Sequence, residues 1–157
     1  MTVEIGTSTL PDITLPATSN QEINLASLKG QVVILYFYPR DNTPGCTQEG
    51  QEFTEKFAEF QNRNVLILGV SRDTVKKHEN FKTKYAFPFE LLADVDEVLC
   101  EAYGVMKNKK MFGKDVRGIE RSTYIYDKDG VLQKMWRKVK VDGHVDEVLA
   151  ALDQMQA

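Results

Sequence analysis

The longest apolar run, "VVILYFY", lies within residues 31–39, "QVVILYFYP". It is apolar on both faces and β-branched at its start, the pattern of a central strand covered on both sides. "VLILGVS" (65–71) has the same character. Between them a helix-length stretch runs from about Pro44 to Arg63. Strand, helix and strand at this spacing predict a right-handed crossover with the two strands parallel. Upstream, residues 13–30 read as a short hairpin and turn. Downstream, Asp73 or Thr74 caps a helix carrying Val75, His78, Phe81 and Tyr85 on one side. "FPFELLAD" reads as a short strand. Val95, Val98, Leu99, Ala102 and Tyr103 fall at helical spacing in a segment ending at Gly104. Residues 107–120, polar and glycine-containing, read as a loop. "STYIYDKDGVLQKMWRKVK" reads as two strands joined by a turn at Asp127 to Gly130. After Gly143 a last helix sets Val145, Val148, Leu149, Leu152 and Met155 on one stripe. The sum is an α/β fold, a mixed central sheet with helices on both faces, occupying residues 1–157 as one domain.

Composition narrows the class. The chain has 157 residues, 42% hydrophobic and 27% charged, enough for a soluble domain with a real core. A formal net charge of −3 argues against a nucleic-acid binder. The N-terminus lacks a basic segment followed by an apolar one, so no signal peptide is read there. The seven-residue apolar run is far short of a membrane span. Two cysteines are too few for a disulfide framework, which makes the cytoplasm the expected compartment.

One of those cysteines stands in a chemically pointed place. Cys46, in "YPRDNTPGCTQEGQEF", follows a buried strand and falls in the first turn of the next helix. Sites in open α/β sheets gather beyond the carboxyl ends of the strands. A helix N-terminus offers free N–H groups and the positive end of its dipole, and so favours an anion such as a thiolate. Cys46, Gly50, Phe53, Phe57 and Phe60 share one face, so the sulfur heads the stripe that packs on the sheet, in a half-enclosed pocket. Gly50 is read as permitting close helix–strand approach beneath it. Thr43 is placed to act on a thiolate or a peroxide through its hydroxyl, or to cap the helix. Pro39 closes the strand and shields one wall. Pro44 pre-sets the first helical residue. Arg121, opening the "RSTYIYD" strand, is the candidate cation for the thiolate; its alternative is a surface ion pair with Glu120. Arg40 reads as solvated.

The spacing Pro39-x3-Thr43-x2-Cys46 resembles the peroxiredoxin signature Pro-x3-Thr/Ser-x2-Cys. "FYPRDNTPGCTQEG", "ILGVSRD", "LLAD", "YGV" and "GIERSTYIYDKDG" are similar, in order, to the bacterioferritin-comigratory, or Q-type, branch. The resemblance covers nearly the whole chain. It implies a thioredoxin-like fold and a thiol peroxidase with Cys46 as nucleophile, Thr43 and Arg121 binding peroxide and thiolate, and Pro39 shielding the pocket. Glu49 matches a position often acidic in that branch and tied to the helix-end network. The implied partners are a peroxide, either hydrogen peroxide or an organic hydroperoxide, and a reducing thiol. The implied state is a monomer or weak dimer, with no cofactor, metal, nucleic acid or membrane.

The chain departs from the branch in its recycling half. Many members carry a second thiol five residues after the first, where this chain has Gln51. Others carry it in the next helix, near "NFKTKY", where this chain has Lys82. Cys100 reads as a partly buried structural cysteine on the flank of its helix; its alternative is a resolving thiol reached by local unfolding or across a dimer. The expected cycle is therefore of one-cysteine type, restored by glutathione, glutaredoxin or thioredoxin. "CTQE" lacks the Cys-x2-Cys of a dithiol oxidoreductase. His78 and His144 are too far apart in sequence for ligand spacing, and His78 reads as a packed or capping residue. A different class of protein, a non-turnover redox sensor or binding module, would consume about one equivalent of peroxide and stop. The basic segments "KNKKMFGKDVR" and "KMWRKVK" read as solvated faces able to attract anionic glutathione or nucleic acid.

Overall fold

The computed structural model describes residues 3–155. The chain enters as a hairpin, β1 (Thr14–Ala17) and β2 (Gln21–Asn24), followed by one 3-10 turn at Leu25–Leu28. Strand β3 (Val32–Phe37) has all six residues buried, as its two-sided apolar run requires. Helices α1 (Pro44–Glu55) and α2 (Phe57–Asn62) follow, then β4 (Val65–Ser71), α3 (Val75–Tyr85) and β5 (Glu90–Ala93). Next come α4 (Val98–Ala102), β6 (Met106–Met111), β7 (Lys114–Ile119), β8 (Ser122–Tyr126), β9 (Leu132–Trp136) and α5 (His144–Met155).

Seven strands form one sheet in the order β2-β1-β5-β4-β3-β8-β9. The β3–β4 and β4–β5 pairs are parallel, as the crossover spacing predicted, and β3–β8 and β8–β9 are antiparallel. Alternation along β3 divides the core. Ile34 and Tyr36 join Cys46, Phe53 and Phe60 in an apolar cluster on one face of the sheet. Val33, Leu35 and Phe37 join Leu99, Cys100 and Tyr103 in a second cluster on the other. The two cysteines therefore lie on opposite sides of the sheet.

Three expectations are corrected. The stretch from Pro44 to Arg63 is two helices, interrupted at Lys56, where ψ opens to 9°. Residues 107–120 are not a loop: β6 and β7 pair antiparallel from Met106↔Ile119 to Met111↔Lys114. The turn between them, Phe112–Gly113, has both residues at positive φ (54° and 77°), the geometry of a tight hairpin. This ribbon carries mostly exposed side chains, so burial imposed no alternation for the sequence to display. The stripe on α4 is also rotated. Asp94 accepts the backbone N–H of Leu99 and Cys100 at 3.2 and 2.7 Å, and Glu97 turns left-handed at φ 62°, so the helix starts late. Val95 and Val98 are left about half exposed, while Cys100 is fully enclosed rather than on the flank.

Candidate active site

Strand β3 ends at Phe37 and the chain reaches α1 through residues 38–43. Thr43 occupies the N-cap position with extended backbone (φ −101°, ψ 156°), and Pro44 follows at the first helical position. Cys46 lies in the first turn, where backbone N–H groups lack intrahelical partners. Thr43 does not cap that turn with its side chain. Its hydroxyl instead donates to the Arg40 carbonyl at 2.9 Å. The hydroxyl proton is thus committed, which leaves the oxygen able to act only as an acceptor toward a further group. Cys46 is more enclosed than its stripe suggested, with 2% of its surface exposed.

The sheet topology delivers the cation. Strand β8 runs antiparallel to β3 with Ser122 opposite Phe37. The residue before Ser122 is Arg121, so it arrives at the carboxyl end of β3, beside the start of α1. Its carbonyl accepts the Val139 N–H at 3.0 Å, which fixes the backbone there. Arg121 Nη2 lies 3.5 Å from Cys46 Sγ across 75 residues of sequence, and Nη1 donates to Glu49 Oε1 at 2.6 Å. A surface pair with Glu120 is not formed; Glu120 pairs with Arg137 instead, at 3.2 Å. Burial pulls the Arg121 guanidinium down, but Glu49 and Cys46 beside it more than offset that and hold it above its ordinary range. It stays charged.

Glu49 is fully buried. Burial pushes its carboxyl up to about 7 against the opposing pull of Arg121. Burial outweighs the ion pair because a carboxylate without water loses more than one guanidinium returns. Glu49 shares the inward face of α1 with Cys46, Gly50 and Phe53. Two glycines permit this packing. A Cβ on Gly45 would meet Arg121 Nη2 at 3.1 Å, so the guanidinium lies against the bare first turn of the helix. A Cβ on Gly50 would lie 2.8 Å from Cε1 of Phe87. The close approach there is to this ring, which lies between α3 and β5, and not to a strand.

Pro39 and Arg121 line a common cleft and Arg121 reaches the Cys46 sulfur, while Thr43 stands at the N-cap of the same helix with its hydroxyl on the Arg40 carbonyl. Arg40 is exposed, as expected. The positioning role of Gly45 had no sequence signal beyond adjacency to Cys46. That of Glu49 is signalled in the sequence by its match to a position often acidic in the Q-type branch and not by the apolar stripe.

Behind the 38–43 segment sits a second polar group. His78 is buried; its Nδ1 is 2.6 Å from Asp41 Oδ2, and its Nε2 donates to the Leu92 carbonyl at 2.9 Å. The Tyr38 hydroxyl donates to Asp41 Oδ1 at 2.6 Å, and the Asp41 N–H donates to Asp73 Oδ2 at 2.9 Å. One atom from each of Asp41, Asp73 and His78 lies within 4.8 Å of the others. Asp41 is bonded to His78 and accepts from Tyr38, and the Asp73 carboxylate accepts from the Asp41 N–H and the Ser71 hydroxyl, so the group ties the segment carrying Thr43 to β4 and α3.

Cys100 is a different kind of thiol. Burial, and then nearby Asp94, push it well above its ordinary range, and it has no exposed surface. Lys82 is engaged with Glu90 at 2.6 Å and the Ser19 hydroxyl at 3.1 Å. Among the described residues no helix is long and apolar enough to cross a membrane.

A model of the AhpC/TSA family matches residues 7–135. Peroxiredoxin Bcp of Xanthomonas campestris is 49% identical over 141 residues, covering 90% of this chain and 88% of the relative. Peroxiredoxin Bcp of Bacillus subtilis is 47% identical over 155 residues, covering 99% and 98%. Two solved structures are similar throughout. One is the Xanthomonas campestris bacterioferritin comigratory protein, studied for alkyl peroxide reduction, with TM-score 0.90 and 45% identity over 99% of this chain and 98% of that one. The other is a mutant of Xylella fastidiosa PrxQ, with TM-score 0.93 and 40% identity over 99% and 98%.

Proposed function

We propose, from the premise that this chain belongs to the AhpC/TSA family and is a thiol peroxidase of the peroxiredoxin class with a thioredoxin-like fold, that Cys46 is its nucleophile. The observation that carries this is the Arg121 guanidinium, held between Glu49 and the Cys46 sulfur at the first turn of α1. The Cys46 thiolate attacks one peroxide oxygen. An S–O bond forms, the O–O bond breaks, and the leaving oxygen takes a proton to become water or an alcohol, with Cys46 left as the sulfenic acid. Thr43 Oγ1 accepts the peroxide O–H. Arg121 and the first-turn N–H groups meet the negative charge that grows on the oxygens in the transition state. Pro39 walls the pocket.

The reductant comes from outside the chain. Gln51 and Lys82 occupy the positions where a second thiol is usual. Cys46 and Cys100 belong to apolar clusters on opposite faces of the sheet, so bridging them would require taking the core apart. An external thiol such as glutathione, glutaredoxin or thioredoxin attacks the sulfenic sulfur and releases water; a further thiol then frees Cys46. We read residues 1–157 as one such domain, acting in the cytoplasm as a monomer or weak dimer on hydrogen peroxide and organic hydroperoxides.

The test is peroxide consumption by the wild type, Cys46→Ser and Cys100→Ser, each with glutathione/glutaredoxin and with thioredoxin as donor. Cys46→Ser should be inactive and Cys100→Ser should turn over. A Cys46–Cys100 disulfide mapped in rapidly oxidised monomer would overturn the external-reductant reading.

A further inference from the structure

The largest cleft described on the molecule, about 940 Å³, runs from Pro39 and Arg121 outward between the β6–β7 ribbon and the segment after β9. Its volume suits a small molecule rather than a water or an ion. Its charge is lopsided. Lys107, Lys109, Arg121, Arg137 and Lys138 line it against a single acid, Glu120, although the chain as a whole carries a net charge of −3. Arg137 is 3.2 Å from Glu120, which accounts for that acid. Lys107, Lys109 and Lys138 are exposed and make no ion pair among the described residues. Lys107 and Lys109 are two apart on β6 and so point to the same side of the ribbon. Apolar side chains enter only through Pro39, Ile119 and Val139. Cys46 is not itself in the lining, but Arg121, which is, holds Nη2 3.5 Å from Cys46 Sγ.

We propose that this cleft binds the reductant itself, a small thiol bearing carboxylates, with its carboxylates on Lys107, Lys109 and Lys138 and its sulfur directed past Arg121 to Cys46. The assignment rests on the reading of Cys46 as a sulfenic-acid-forming nucleophile and adds the chemical class of its reductant. A wall of ammonium and guanidinium groups suits an anion, and it also favours the thiolate over the thiol of the incoming molecule. A long acyl hydroperoxide would need a more continuous apolar wall than three side chains provide. The step balances. The incoming thiolate forms an S–S bond to Cys46 as the S–O bond breaks, and the departing hydroxide takes the proton lost by the thiol, giving water. A second thiolate then attacks the outer sulfur, releasing the Cys46 thiolate and a symmetrical disulfide.

The test separates the two half-reactions. Protein is oxidised with one equivalent of hydrogen peroxide, and the sulfenic acid is verified by dimedone trapping. It is then mixed in stopped flow with glutathione or with glutathione diethyl ester, whose carboxylates are blocked. For the wild type at low ionic strength, glutathione should react ~10-fold faster than the ester, the lower end of electrostatic steering. The advantage should shrink in high salt. Lys107→Ala/Lys109→Ala/Lys138→Ala should abolish the advantage, whereas Lys56→Ala/Lys76→Ala/Lys128→Ala, an equal loss of charge elsewhere, should keep it. Equal rates for thiol and ester in the wild type, or equal effects of the two triple variants, would overturn the assignment. So would a cleft variant that slows oxidation by linoleic acid hydroperoxide relative to its methyl ester while leaving the thiol step intact. A protein that forms no sulfenic acid at Cys46 would instead overturn the catalytic reading and the cleft assignment with it.

Discussion

Glu49→Gln isolates the electrostatics of the site. Glu49 has no exposed surface, and its Oε1 accepts from Arg121 at 2.6 Å. Burial, opposed by Arg121, raises its carboxyl from 4.5 to about 7, so the native state holds this proton more tightly than the unfolded chain. The resulting stability is complete below about 4.5, drains away as pH rises, and is gone above about 7. At about 1.4 kcal/mol per pH unit the amplitude is about 3 kcal/mol. His144 acts in the opposite sense. Burial first, and the Arg121 charge second, lower it from 6.5 to about 4. Its contribution is complete above 6.5 and is lost as pH falls toward 4, again by about 3 kcal/mol. Between 4.5 and 6.5 the two slopes cancel in the wild type. Glu49→Gln removes one of them, so the variant should gain stability with rising pH over a range where these groups leave the wild type level. Urea unfolding of both proteins, with thiols reduced, from pH 4.5 to above 7 reads the effect. The wild-type-minus-variant free energy should fall by about 3 kcal/mol across that range. A difference constant to within about 1 kcal/mol would show that Glu49 does not titrate as its burial demands.

Further variants probe the remaining contacts. Arg121→Lys keeps a charge but cannot reach Glu49 and Cys46 with separate nitrogens, so the rate of peroxide-driven Cys46 oxidation should drop about 10²–10³-fold while the fold survives. Gly45→Ala, pressing on Arg121 Nη2 at 3.1 Å, should slow the same step with little change in melting temperature. Gly50→Ala should lower stability by about 1–3 kcal/mol in urea, because the clash with Phe87 exceeds the helix-propensity gain. Cys100→Ala should retain full turnover, and native Cys100 should resist iodoacetamide under conditions that expose it in urea; rapid native labelling would contradict its burial.

Local patterning made most of this protein legible. The two-sided apolar runs of β3 and β4, the stripe of α5 and the turn at Asp127–Gly130 follow from side-chain periodicity, which each segment carries within itself. The place of Cys46 on the first turn of α1 was likewise readable, since Pro44 marks the helix start a short way after the strand end. Patterning failed where burial does not set an element's type or phase. The β6–β7 ribbon buries too little to need alternation, and α4 is phased by Asp94 rather than by its own valines. Partnership over distance was beyond it altogether. That Arg121 reaches Cys46, that Glu49 is dry enough to titrate near neutrality, that the two thiols stand on opposite faces and that scattered lysines converge on one cleft all depend on how strands are ordered in the sheet. Dehydration and long-range Coulomb terms belong to the packed assembly, and no segment of the chain carries them alone.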